Sequence, residues 1–76
     1  MIHKTSFDIV EAFFKRKDLY IPESIKLNDY TEITDPKKFI EANLAVVKFN
    51  INKDVHTFHP YLERLIVVKS IIEGLQ

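Results

Sequence analysis

The residues whose types and spacing best suit metal binding are His56, His59 and Glu63. His59 and Glu63 are four positions apart, so on one helix their side chains point to the same side. Two imidazoles and a carboxylate would suit zinc or another transition metal. The order lacks the His-Glu-x-x-His pattern of zinc helices. We therefore favour the interpretation that His59 lies at a helix terminus with both rings half exposed, and we expect no metal and no other cofactor.

Side chains for covalent or phosphoryl-transfer catalysis are scarce. The chain has no cysteine and a single glycine, so it offers no thiol nucleophile and no glycine-rich phosphate loop. Carboxylate pairs such as Asp8 with Glu11 lie near predicted helix starts, where the helix dipole explains acidic residues. A chain of 76 residues also has little room for a ligand-sized cleft. We expect that the protein is not an enzyme.

Two short basic clusters are the candidates for contact with nucleic-acid phosphates: Lys15, Arg16 and Lys17, and Lys37 with Lys38. Eleven basic and eleven acidic residues cancel, so the chain lacks the positive charge typical of nucleic-acid-binding proteins. The connection between the last two predicted helices is longer than a helix-turn-helix turn and contains no glycine. Weak nucleic-acid binding through the two clusters is the alternative function.

The composition predicts one small folded domain. Hydrophobic residues make up 46% of the chain, with only three prolines, which excludes disorder and low-complexity sequence. The absence of cysteine excludes a disulfide framework. No apolar run is long enough for a membrane span or a signal peptide. We expect a single helical domain over residues 1–76, located in the cytoplasm.

Hydrophobic periodicity predicts an all-α fold, a small three-helix bundle. The first helix is expected from Phe7 to about Lys17, with Thr5 or Ser6 as its cap. The second is expected to begin at Pro36, after a cap at Thr34 or Asp35, and to fray at residues 50–52. The third is expected to start at Thr57 or His59 and to stop at Gly74.

Residues 18–34 connect the first two helices and contain many apolar residues. Pro22 favours an extended Ile21, and Asn28-Asp29 is typical of a turn. We expect an ordered apolar loop around the core, with a short helical turn near residues 22–25. A hairpin of residues 24–27 and 30–33 is the alternative, although an isolated hairpin is only marginally stable.

The apolar side chains of the third helix cover roughly 260° of a helical wheel, against about 100° for an ordinary surface helix. This width predicts a central position, enclosed by the other elements. Val67 and Ile71 are the residues expected to stay partly uncovered and to contact a second chain, and Arg64 is a further candidate for that contact. Arg64 is expected to pair with Asp35 or Glu32 and so to join the third helix to the second.

Two asparagines lie beside the apolar stripe of the second helix. Asn43 is expected to form a hydrogen bond with the loop of residues 18–34 and so to fix its path. Asn50 is expected to end the helix in a left-handed conformation, which asparagine tolerates better than most residues.

Two further segments have a recognisable pattern. The proline-led segment 21–27 leads into residues 33–40, and residues 58–65 contain Pro-Tyr-Leu, one further residue and Arg-Leu. These segments resemble a family of small uncharacterised helical proteins found mainly in gut Bacteroidota and their mobile elements. The resemblance spans nearly the whole chain and implies no activity, cofactor or catalytic residue. Together, the patterns favour a non-enzymatic protein-interaction or accessory module, acting on an unknown protein partner or as a homodimer.

Overall fold

Three helices and a small antiparallel sheet make up the fold. The structure is a computed structural model that describes residues 2–53 and 59–76. In chain order the elements are α1 (Ile2–Phe14), β1 (Ile25–Lys26), β2 (Glu32–Ile33), α2 (Pro36–Asn52) and α3 (His59–Glu73). The three predicted helices are present. The all-α class is wrong in one respect, because residues 25–33 form a hairpin.

Helix α1 begins earlier and ends earlier than the sequence predicts. It starts at Ile2, so Thr5 and Ser6 lie inside the helix and are not its cap. Residues 2–5 contain no glycine or proline, so nothing in the sequence stops the helix at Ser6. It ends at Phe14, and the next amide, of Lys15, still donates to the Glu11 carbonyl at 3.0 Å. The basic cluster at residues 15–17 therefore follows the helix.

Helix α2 begins where its sequence predicts. Asp35 is the N-cap, and its side chain accepts a hydrogen bond from the Lys38 amide at 3.3 Å. Pro36 occupies the first helical position, where a missing amide proton costs no hydrogen bond. At the other end, the Lys53 amide donates to the Phe49 carbonyl at 3.2 Å. Of the two predicted caps, Asp35 is therefore the one that the structure uses.

The hairpin is the alternative prediction for residues 18–34. Ile25 pairs with Ile33, and Lys26 pairs with Glu32. Because successive side chains of a strand point to opposite faces, Ile25 and Ile33 are both buried while Lys26 and Glu32 are exposed. The hairpin needs no third strand because its apolar face packs against the helical core.

Helix α3 supplies much of the buried core, but the predicted enclosure is incomplete because Ile66 and Val67 stay exposed. It packs against both α1 and α2. Among its side chains, Leu65, Val68 and Ile72 are fully buried. The buried apolar residues of the whole core are Phe7, Val10, Phe13, Ile25, Ile33, Ile40, Val47, Leu62, Leu65, Val68 and Ile72. No described helix combines the length and hydropathy needed to cross a lipid bilayer.

Both predictions for the asparagines of α2 are wrong. The Asn43 side-chain amide donates to the Phe39 carbonyl at 2.7 Å, and that of Asn50 donates to the Val46 carbonyl at 2.8 Å. Each therefore bonds back along its own helix, four residues earlier, and Asn50 lies within the helix.

Candidate functional site

Helix α3 keeps part of its apolar surface uncovered. Val67 is 48% exposed and Ile66 is 43% exposed, although Leu65 and Val68 of the same helix are fully buried. Ile71 is half-buried and packs against the core cluster. Of the two residues predicted to contact a second chain, Val67 is thus the more accessible, and Ile71 serves mainly the interior.

Arg64 lies on the same helix and is exposed. Its guanidinium carbon is 5.6 Å from the centre of the Tyr61 ring, within the range of a cation–π contact. Among the described residues it forms no ion pair, so the predicted pairing with Asp35 or Glu32 is wrong. The physical reason is that an exposed ion pair gains little over hydration, whereas the Tyr61 ring lies one helical turn away.

Two shallow depressions meet at Arg64 and at Leu27 of the hairpin. Pro60, Glu63 and Val67 line the first depression together with these two residues and Asn28. The second extends towards the start of α2 and is lined by the following residues besides Arg64 and Leu27: Thr31, Glu32, Ile33, Thr34, Asp35 and Phe39. We refer to Leu27, Pro60, Glu63, Arg64 and Val67 as the Arg64 surface.

The Arg64 surface combines a half-exposed apolar centre with charges of both signs. Glu63 is exposed, and within residues 2–53 and 59–76 it forms no ion pair. Arg64 and Glu63 thus lie side by side on the helix, and both side chains are exposed. Sequence reasoning identified Val67 and Arg64 but missed Leu27, which reaches this place only because the hairpin forms.

The first basic cluster lies among carboxylates. The Lys15 ammonium is 3.6 Å from a Glu11 carboxylate oxygen, and the Lys48 ammonium is 3.9 Å from the same oxygen. The Arg16 guanidinium is 3.4 Å from the Asp18 carboxylate. Its hydrogen bond to that carboxylate is the main cause of the lowered pKa of Asp18. These neighbours reduce the positive potential that a phosphate backbone would meet.

The second basic cluster lies in the first turn of α2, where Lys37 and Lys38 are exposed. In the part of the chain that the structure describes, no ion pair involves Lys17, Lys37 or Lys38. No described hydrogen bond or ion pair links the two clusters.

The predicted metal ligands form no binding site within the described residues. His56 lies outside the described residues, and of its predicted companions His59 is half-buried and Glu63 is exposed. Across residues 2–53 and 59–76, no group of three or more His, Cys, Asp or Glu side chains could hold a metal ion.

One tertiary contact, between Gln76 and Tyr20, could not be predicted from the sequence. The Gln76 side chain forms hydrogen bonds with both the amide and the carbonyl of Tyr20, at 3.0 and 2.9 Å. A glutamine far along the chain carries no pattern that predicts such a pairing.

Comparison with known proteins identifies a family without assigning an activity. Residues 9–74 match the family described as a domain of unknown function, DUF6965, and the chain belongs to this family. Neither the curated proteins nor the solved structures contain a significant match.

Proposed function

We propose that this member of the family is a protein-interaction module that binds another polypeptide through the Arg64 surface. One observation carries the proposal: Val67 is about half exposed beside Arg64, whose guanidinium has an aromatic neighbour but no carboxylate partner among the described residues. We further propose that this contact is made in the cytoplasm, since the chain has no cysteine.

The residue types support this choice. Arginine and tyrosine are enriched among the residues that contribute most to protein–protein binding energy, and Arg64 and Tyr61 lie against each other here. The depressions beside Arg64 are shallow and open, whereas small-molecule sites are usually concave and enclose their ligand. A shallow, open surface of this kind is better suited to contact with the protruding side chains of another protein than to enclosing a small molecule.

The alternative function, nucleic-acid binding, has weaker support. Lys15 and Arg16 each lie within 4 Å of a carboxylate, and the net charge of the chain is zero. Binding of that kind would weaken steeply with added salt and would depend on Lys37 and Lys38. A module that acts through the Arg64 surface would be insensitive to neutralisation of those lysines.

The proposal is tested by cross-linking in the native host cell. A photo-reactive amino acid replaces Val67 in one variant and Ala42 in the control, since both positions are exposed on helices. We expect a discrete cross-linked product only from position 67, containing either a second copy or another protein. The product is identified by mass spectrometry and the complex is rebuilt from purified proteins.

The affinity of the rebuilt complex is then measured to test whether the partner binds at the Arg64 surface. Val67→Glu places a charge at the centre of the surface and is expected to weaken the affinity at least about tenfold. Ala42→Glu, the matched control on α2, is expected to leave the affinity unchanged. Equal products from positions 67 and 42, or equal affinities for the two glutamate variants, would refute the proposed function.

A further inference from the structure

We infer that the occupant of the Arg64 surface is a second copy of this chain. In the dimer, Arg64 of each copy lies against Glu63 of the other, and the two Val67 side chains meet between these ion pairs. The inference rests on the proposed function, because it uses the same surface and names its partner.

The order of residues along α3 sets out the required geometry. Pro60 and Val67 are seven positions apart, which is close to two helical turns, so they lie on one side of the helix. Glu63 and Arg64 are adjacent in the chain and therefore point about 100° apart, one on each flank of that side. The surface thus has an apolar midline with an acid on one flank and a base on the other.

A two-fold axis converts this arrangement into a complementary contact. When the axis runs along the midline, parallel to α3, it brings the left flank of one copy against the right flank of the other. Val67 then meets Val67 of the second copy, and Arg64 faces Glu63 of the second copy twice. Each copy supplies both halves of the charge pattern, so no other protein is needed to complete it.

Glu63 and Arg64 are both exposed in the single chain. Among the described residues neither Glu63 nor Arg64 forms an ion pair. Two copies therefore gain two ion pairs without breaking any ion pair between described residues. The Leu27 side of the depression beside Arg64 adds apolar surface to the contact.

The experiment exchanges the charges. Arg64→Glu creates a copy with acids on both flanks, and Glu63→Arg creates a copy with bases on both flanks. Sedimentation velocity is expected to show that the native chain dimerises as its concentration rises towards about 1 mM. Each single variant is expected to self-associate at least about tenfold more weakly, because like charges then face each other.

An equal mixture of the two single variants is the decisive sample. It is expected to form a heterodimer at least as tight as the native homodimer, since every facing pair is again opposite in sign. Lys37→Glu mixed with Glu41→Arg is the matched control: both positions are exposed on α2, and the net charges of its two partners are the same. Both control variants keep the Arg64 surface, so each alone and their mixture are expected to dimerise as the native chain does.

Two outcomes overturn the inference: a native chain that stays monomeric at about 1 mM, and an Arg64→Glu plus Glu63→Arg mixture that associates no more tightly than either of those variants alone. Circular dichroism and urea unfolding of every variant show whether the fold is intact. A monomeric native chain that still cross-links from position 67 to a different protein would overturn the dimer and leave the proposed function standing.

Discussion

The Gln76 side chain forms hydrogen bonds with both backbone polar groups of Tyr20, its amide and its carbonyl. Its side-chain oxygen accepts from the Tyr20 amide at 3.0 Å, and its side-chain nitrogen donates to the Tyr20 carbonyl at 2.9 Å. The same nitrogen lies 2.9 Å from the Ile72 carbonyl, which it also bonds. One side chain thus joins the segment after α1 to the last turn of α3.

Replacing Gln76 by alanine removes all three hydrogen bonds. We expect the free energy of unfolding to fall by about 1 kcal/mol, because hydrogen bonds at an exposed site contribute modestly. Urea unfolding measures this loss. Hydrogen exchange is the more specific measurement: the Tyr20 amide is expected to exchange faster in Gln76→Ala, while amides of the α2 interior keep their relative order of protection.

Gln76→Glu separates the two halves of this contact. A carboxylate still accepts from the Tyr20 amide but donates to neither carbonyl. We therefore expect Gln76→Glu to lose stability while the Tyr20 amide stays partly protected. Unchanged exchange at Tyr20 in the alanine variant would contradict the contact.

The pairing of the hairpin strands predicts that substitutions on its two faces change the stability by different amounts. Ile25 is 3% exposed and contacts the core, so Ile25→Val is expected to cost about 1 kcal/mol and Ile25→Ala about 2–4 kcal/mol. Lys26, on the opposite face, is exposed, and Lys26→Ala is expected to change stability by less than about 0.5 kcal/mol. Thermal and urea unfolding test both. A Lys26→Ala loss as large as that of Ile25→Val would contradict the assigned register.

What the sequence could predict depended on whether the signal was local. The start of α2 was predictable because Asp35 and Pro36 act within one turn of each other. The buried side of α3 was predictable from its apolar spacing, whereas the expected enclosure of the whole arc was wrong for Ile66 and Val67. The hairpin was not favoured because strands of two residues are too short to show an alternating apolar pattern in the sequence. Their stability comes from packing of Ile25 and Ile33 against the helices, which is a tertiary contact.

The Arg64 surface was predictable only in part, for the same reason. Val67 follows from periodicity on one helix, whereas Leu27 comes from a different element and reaches α3 through the tertiary fold. The partner of Arg64 was predicted wrongly because several acidic residues lie near it and the sequence alone does not rank them against the Tyr61 ring.

The carboxyl group of Asp18 provides a prediction about pH. Its pKa is lowered chiefly by the hydrogen bond from Arg16, with help from a backbone hydrogen bond and from the Arg16 charge. A folded pKa below the unfolded one means that the contribution to stability is present above the unfolded pKa. It is lost as the pH falls through the folded pKa.

We expect Arg16→Gln to raise the pKa of Asp18 towards its ordinary value. A titration that follows the Asp18 carboxyl carbon by NMR measures the change directly. Lys17→Gln removes the same charge from a neighbouring position that makes no hydrogen bond to Asp18, so it is expected to shift the pKa less. Equal shifts in the two variants would show that charge alone sets the pKa.

Asn43 is the buried polar residue of α2, and its side-chain amide donates to the Phe39 carbonyl at 2.7 Å. Asn43→Asp keeps the shape but replaces the donor with a carboxylate, so we expect a loss of about 1–3 kcal/mol. Asn50→Asp is the control: Asn50 makes the equivalent bond to Val46 but is half-buried, and its loss is expected to be smaller. Urea unfolding at neutral pH compares the two, and an unchanged stability in Asn43→Asp would contradict the hydrogen bond to Phe39.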